Sequence, residues 1–227
     1  MKICASCKTH NHLDARFCKR CATPLTIDAE EAAGWEEQRR DVLFELLGEP
    51  GQTVGQENWL APVGPVSLHI WGPGCVQGME DFDLHVVMTS GMSNVRLPAS
   101  GTNPRRLELV AWVPAMSPSM AQYLLGLASF PGLTGNPLGP GSTLIDDEPF
   151  FGGSPMRATV FVPYPEAPFC RIPETLRVEE DPVELLFPIP LTVGERERVV
   201  AEGPVPVLDQ FDPPFDYMFN PWRTPLA

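Results

Sequence analysis

Proline restricts this chain more than any other feature: 27 of its 227 residues are Pro, and with 19 Gly they make up a fifth of it. Proline fixes φ at about −65° and donates no backbone hydrogen bond, so it stops helices and is kept out of doubly paired strands. Short elements joined by many turns are therefore expected. The Pro and Gly content stays below the roughly 25–30% at which low-complexity disorder becomes the default. With 43% hydrophobic and 20% charged residues, the chain can still build a globular core. Its length suits one ordinary domain plus a small module.

The small module is visible in the cysteines. Cys4-x2-Cys7 and Cys18-x2-Cys21, ten residues apart, hold four of the six Cys. Each C-x-x-C turn can present two thiolates to one ion, and two such turns complete a tetrahedral four-sulfur site suited to one structural Zn2+. About 25 residues bury too little surface to fold otherwise. His10 and His12 are rival ligands, and four unligated thiols are the bland alternative. The segment CASCKTHNHLDARFCKRCATPL resembles the short zinc ribbons at the ends of many bacterial and archaeal proteins, with Phe17 before the third Cys and Pro24-Leu25 closing it. Lys8 and Ala22 stand where those ribbons usually have Gly. This reading divides the chain into a ribbon over 1–25, a linker and helix over 26–50, and a main domain over 51–227.

Charge separates the same parts. The net charge is −13, but residues 1–25 carry +4, which leaves −17 on the remainder. Such a body repels phosphate backbones, so nucleic-acid contact is confined to the ribbon's Lys8, Arg16, Lys19 and Arg20. No run of about 18 apolar residues marks a membrane span, and the N-terminus lacks the hydrophobic stretch of a signal peptide. A cytoplasmic protein with no membrane partner is expected, in which thiols stay reduced.

Asp28, Ile27 before it, and Gly48-x-Pro50 bound a helix over 28–47, whose apolar stripe strengthens toward Leu46 and Leu47 and should dock on the main domain. Runs at 66–72, 82–89, 106–113, 157–163 and 183–190 have strand composition. In the second, Phe82, Leu84, Val86 and Met88 alternate with Asp81, Asp83 and His85, as in a half-buried strand. Ser117-Pro118 opens another helix, and Thr192-x-x-Glu195 is the capping box of a third that ends at Gly203. Residues 131–154 read as one long loop.

Five segments recur in the order of a known family: Thr89-Ser90-Gly91-Met92-Ser93, the strand Arg106 to Pro114, the helix Leu124 to Pro131, the turn Gly139 to Leu144, and Phe187-Pro188-Ile189-Pro190-Leu191-Thr192-x-x-Glu195. Over about residues 55–215 the chain resembles the suppressor-of-fused domain, with Ser142 where the family turn often has His. The resemblance implies an α+β fold, a mixed β-sheet with flanking helices, that binds proteins and is not an enzyme. In animals the family grips a short peptide of a transcription factor, and bacterial relatives are often proposed to be immunity proteins that neutralise polymorphic toxins. A protein partner, a toxin domain among the options, is the expectation. The alternative is a regulator whose ribbon touches nucleic acid while the acidic domain binds protein.

Other candidates read as structural. Asp81, Asp83 and His85 form a D-x-D-x-H pattern but suit a solvated strand face better than a metal half-site. Gly91-Met92-Ser93 lacks the nucleophile elbow, and no His follows His85, so a hydrolase of that order is excluded; Gly91 is expected to supply a positive φ to a turn. Cys75 and Cys170 have no partner pattern. Asp146-Asp147-Glu148 suits a solvated loop, and the aromatic tail of Phe211, Phe215, Tyr217, Phe219 and Trp222 is expected to pack over the domain.

Overall fold

A computed structural model describes residues 2–3, 7–11, 18, 20, 29–55, 66–74, 83–94, 97–99, 102–134, 136–163, 172, 175–178, 181–211 and 219–226. Two short strands, β1 (Lys2–Ile3) and β2 (His10–Asn11), pair antiparallel at the N-terminus. Helix α1 (Ala29–Leu47) follows. The main sheet is built from β3 (Gln52–Gly55), β4 (Ser67–Trp71), β5 (His85–Ser90), β6 (Leu97–Ala99), β7 (Thr102–Val113), β8 (Thr143–Ile145), β9 (Ala158–Pro163), β10 (Thr175–Val178) and β11 (Asp181–Leu191). Helices α2 (Pro118–Thr134), α3 (Val193–Glu202) and α4 (Pro204–Leu208) complete the order.

The sheet runs β3-β4-β5-β7-β11-β9-β8, with β6 on β7 and β10 on β11. β7 and β11 are parallel and every other pair is antiparallel, so the sheet is mixed as expected. All five strand runs and all three helices of the sequence reading are present. The expectation of short elements is corrected by the two central strands, 12 and 11 residues long. β11 carries Pro188 and Pro190 because its partner β7 leaves after Leu186, so beyond that point only β9 needs hydrogen bonds. Leu191 O accepts from Arg157 N at 3.1 Å, toward β9. Pro190 O points the other way and accepts from Arg223 at 2.9 Å. The prolines thus sit at alternate positions facing away from the ladder, where an absent N–H leaves no donor unmet.

Both faces of the sheet are buried. One packs β5, β7, β9 and β11 through Val86, Met88, Val110, Trp112, Val160 and Phe187 against α1, α3 and α4. The other packs Leu68, Ile70, Val87, Leu109 and Ala111 against Met120, Leu124 and Ala128 of α2. The half-buried reading of β5 is therefore corrected: Val87, on the side assigned to solvent, is 1% exposed, and that side is wet only at its entrance, where Asp83 is exposed and His85 half-buried. A helix over each face requires apolar residues at consecutive strand positions.

The helix boundaries follow their chemistry. Gly48 takes φ +79° and closes α1 with a Gly48 N to Phe44 O bond of 2.9 Å, the C-terminal device that favours glycine. The Ser117 hydroxyl caps Met120 N at 3.1 Å. Thr192 and Glu195 form the expected reciprocal box at the start of α3. The expected loop over 131–154 is corrected: α2 continues to Thr134 past Pro131, and β8 forms a hairpin with β9. Asp28 lies outside the described residues.

Candidate interaction surfaces and thiol pair

Of the four ligands expected from the sequence, Cys7 and Cys18 fall on described residues, and Cys4 and Cys21 lie outside them. The Cys7 and Cys18 sulfurs are 3.4 Å apart. This is far beyond the roughly 2.05 Å of a disulfide and close to the ~3.8 Å between two thiolates on one tetrahedral ion with ~2.3 Å bonds. Arg20 N points at the Cys18 sulfur at 3.4 Å. Lys8, standing where ribbons favour Gly, adopts φ +58°, the left-handed conformation that glycine takes at little cost. Lys8 and Arg20 are exposed; His10 is exposed on β2. Arg16, Lys19 and His12 lie outside the described residues.

The segment after β5 was expected to be a structural turn with positive φ at Gly91, and Gly91 has φ +136°. Its purpose is to enclose Glu108, which is fully buried in β7. Glu108 lies on the same strand side as Val110 and Trp112, where a carboxylate must be saturated with donors. It accepts from the Thr89 hydroxyl at 2.6 Å, Gly91 N at 3.0 Å, Ser93 N at 3.0 Å and the Ser93 hydroxyl at 2.7 Å. Arg39 of α1, also fully buried, approaches to 3.5 Å. Its Nε and both terminal nitrogens donate to Ser90, Ser93 and Asn94 at 2.8 to 3.2 Å. Burial lowers the Arg39 pKa, and the charges of Glu108 and Glu36 act against that shift. Trp35 donates its indole N–H to Ser93 at 3.3 Å, and the Arg106 guanidinium stacks on its ring at 3.9 Å. This polar centre clamps α1 to the sheet. In the sequence Glu108 is part of a strand motif, and its one signal is a lone Glu inside LELVAWV, in step with Val110 and Trp112.

A second buried carboxylate fixes the C-terminus. Glu195 accepts Thr192 N at 2.7 Å, Leu226 N at 2.7 Å and a two-pronged bond from Arg223 at 3.0 and 2.8 Å. Burial alone would raise its pKa, but Arg223 and the two backbone N–H groups outweigh burial and hold it below its ordinary value. Arg223 also lies over Phe211 at 4.3 Å. The tail packs as expected at Phe211 and Phe219, which are 4% and 0% exposed; Trp222 departs from this at 53%. Phe215 and Tyr217, like Cys75, Cys170 and Asp81, lie outside the described residues. Asp146, Asp147 and Glu148 are exposed, as expected of a solvated loop. Among the described residues no group of three or more His, Cys, Asp or Glu is placed to hold a metal ion. No described helix is long and apolar enough to cross a membrane.

The surface opens at the sheet's ends. Among the described residues β3 pairs only with β4, and none of them pairs with its other edge. Beside that edge runs a groove of about 690 Å³, between Val54 and Gly55 of β3, Ile70, and Met116, Ala121 and Leu125 around the start of α2. A smaller hollow of about 380 Å³ lies at the far end, between Gly141, Pro163 and Val205.

The sequence profile of the suppressor of fused protein family matches residues 67–222. The fold is similar to that of a suppressor of fused homologue from Neisseria gonorrhoeae, with TM-score 0.60, 16% identity, and coverage of 85% of this chain and 97% of that one. It is also similar to the crystal structure of the Sufu–Fu complex, with TM-score 0.54, 13% identity, and coverage of 79% and 82%. Drosophila Suppressor of Fused matches with TM-score 0.55 and 14% identity over 81% of this chain, which spans about half (49%) of that protein. No curated protein matches the sequence. A profile that covers more than two thirds of the residues, on a fold shared with three solved members, establishes that this chain belongs to the suppressor of fused family.

Proposed function

We propose that this chain is a non-enzymatic protein-binding module that takes an extended segment of its partner along the free edge of β3. The observation that carries this reading is the juxtaposition of an unpaired strand edge with a mainly apolar groove. Backbone groups can hydrogen-bond a peptide added to the sheet, while the groove receives its alternate side chains. Family membership agrees, since a relative has been crystallised as the Sufu–Fu complex. The buried carboxylates Glu108 and Glu195 are saturated by donors of the chain itself, which suits scaffolding better than catalysis.

The net charge of −13 supports a basic partner, because opposite charge accelerates encounter and suppresses acidic competitors. A toxin domain neutralised by an acidic immunity protein is a partner of that kind. At the N-terminus, the thiol pair and the left-handed Lys8 support a ribbon in which Cys4, Cys7, Cys18 and Cys21 hold one Zn2+. The ion would supply the folding energy of that module. Elemental analysis of the purified full chain is expected to give one zinc per chain, lost in Cys7→Ser; a metal-free wild-type chain would end the ribbon reading.

Affinity capture from the native source with Gly55→Trp as comparator tests the binding reading. A Cβ at Gly55, which lines the groove, meets nothing within 4 Å, and its φ is outside the left-handed range, so an indole there has room and is expected to occupy the groove. The partner is expected to be retained by wild type and lost by the variant. Equal retention by both would overturn the site.

A further inference from the structure

We propose that Cys7 and Cys18 form a peroxide-sensitive switch: oxidation joins them in a disulfide and expels the ion from the N-terminal module, and a reductant reverses both. The contact itself is the starting observation. The two sulfurs, eleven residues apart in the chain, lie 3.4 Å from each other. Closing that gap to an S–S bond takes a shift of only about 1.4 Å. The pair is also held in place. Strands β1 and β2 lie on either side of Cys7 and pair at Lys2↔Asn11 and Ile3↔His10. The Cys7 thiol donates to the Thr9 hydroxyl at 3.1 Å, a contact that runs from the hydroxyl when the sulfur is a thiolate. Arg20 N donates to the Cys18 sulfur at 3.4 Å. Each sulfur is therefore aimed at the other before any oxidant arrives.

Exposure divides the roles. Cys7 is half-buried and open to a small oxidant, whereas Cys18 is 3% exposed. The accessible sulfur is oxidised first, and the sheltered neighbour resolves it. The surroundings also differ from the rest of the molecule. Residues 1–25 carry +4 on a chain of net charge −13, and Lys8 and Arg20, one and two residues from the cysteines, are exposed. Reactive cysteines sit in electropositive, part-exposed settings of this kind. A positive field stabilises the hydroxide that must leave.

The step balances with hydrogen peroxide as the oxidant. The Cys7 thiolate attacks one peroxide oxygen, the O–O bond breaks, and hydroxide leaves, giving a sulfenic acid. The Cys18 thiolate then attacks that sulfur, the S–O bond breaks, and a second hydroxide leaves as the S–S bond forms. The two sulfurs lose two electrons and the peroxide gains them; each hydroxide takes a proton from solvent and becomes water. A four-thiolate site that loses two ligands in this way no longer holds Zn2+.

This inference rests on the ribbon reading, and one experiment separates the two. Zinc in the full-length chain is counted first; hydrogen peroxide is then added with a colorimetric zinc indicator, and the product is digested without reductant for peptide mapping. The expected result is release of the zinc together with a Cys7–Cys18 linked peptide pair, both reversed by a phosphine reductant with zinc resupplied. Cys75→Ser/Cys170→Ser should behave as wild type. Cys18→Ser should lose the cross-link and leave Cys7 as a sulfenic acid that dimedone traps; the wild-type map stands without this variant should it fail to fold. A zinc-loaded chain that keeps its metal under peroxide, or that links Cys4 to Cys7 and Cys18 to Cys21 instead, would overturn the switch and leave the ribbon standing. A chain purified without zinc would end both.

Discussion

Single residues decide how the N-terminal helix is attached. Arg39 brings a charge into a region where desolvation is costly, and five contacts to Glu108, Ser90, Ser93 and Asn94 offset that cost. Removing one member of such a buried pair leaves the other unmet, at a cost of about 3–5 kcal/mol. Arg39→Met is therefore expected to lose that much unfolding free energy in urea, and adding Glu108→Gln should recover part of it. A loss under about 1 kcal/mol would show that the helix is held by Leu43 and Leu47 alone. His69 gives a separate, pH-dependent signature. It is packed edge-on between Phe44 and Trp71 and bonded to Thr53 at 3.0 Å. Burial, with Arg39 and Arg40 nearby, lowers its pKa from 6.5 to about 4. The unfolded chain then binds the proton first, so this stabilisation is complete above pH 6.5 and is lost as pH falls toward 4. The loss amounts to at most about 3 kcal/mol. Unfolding free energy measured from pH 7 to 4.5 should fall for wild type and flatten in His69→Gln; parallel curves would contradict the assignment.

Among the elements, the C-terminal strap bears most on stability. Residues 219–226 cover Tyr123 and Phe150 through Phe219, donate to Glu195 through Arg223 and Leu226, and occupy the outward carbonyl of Pro190. Deleting residues 219–227 should lower the melting temperature by well over 5 °C and expose apolar surface to a hydrophobic dye, because a buried Phe and a buried ion pair are lost together. An unchanged melt would show that the strap is incidental. Glu195 adds an acid limit: its lowered pKa gives stability that is present above about pH 4.5 and lost below it. The strands and the starts of α2 and α3 were legible because alternation, Ser117-Pro118 and Thr192-x-x-Glu195 are local signals. β3, β8 and β10 were not, since three- and four-residue strands carry too little pattern and exist only because a longer neighbour templates them. The role of Arg39 was equally hidden: its hydrogen-bond partners lie 51 to 55 residues away and Glu108 lies farther still, and no spacing rule reaches that far. The two-sided burial of β5 was missed because two acids at its entrance outweighed Val87 in the pattern.

At the scale of the whole molecule, helices cover both sheet faces, two buried carboxylates pin the helix and tail that close the structure, and the openings fall at the sheet's ends. The proposed function accordingly lies at the edges of this acidic body, where its hollows are. On the proposed reading, charge guides the approach of a partner and the free edge of β3 provides its grip. Amide hydrogen exchange of the full chain with and without its captured partner reads this most directly. Strand addition predicts strong new protection at Gln52–Gly55, with Ser67–Trp71 unchanged or slightly slowed; exchange at Gln52–Gly55 that stays as fast as in the free protein, with protection appearing instead around Gly141, Pro163 and Val205, would contradict it.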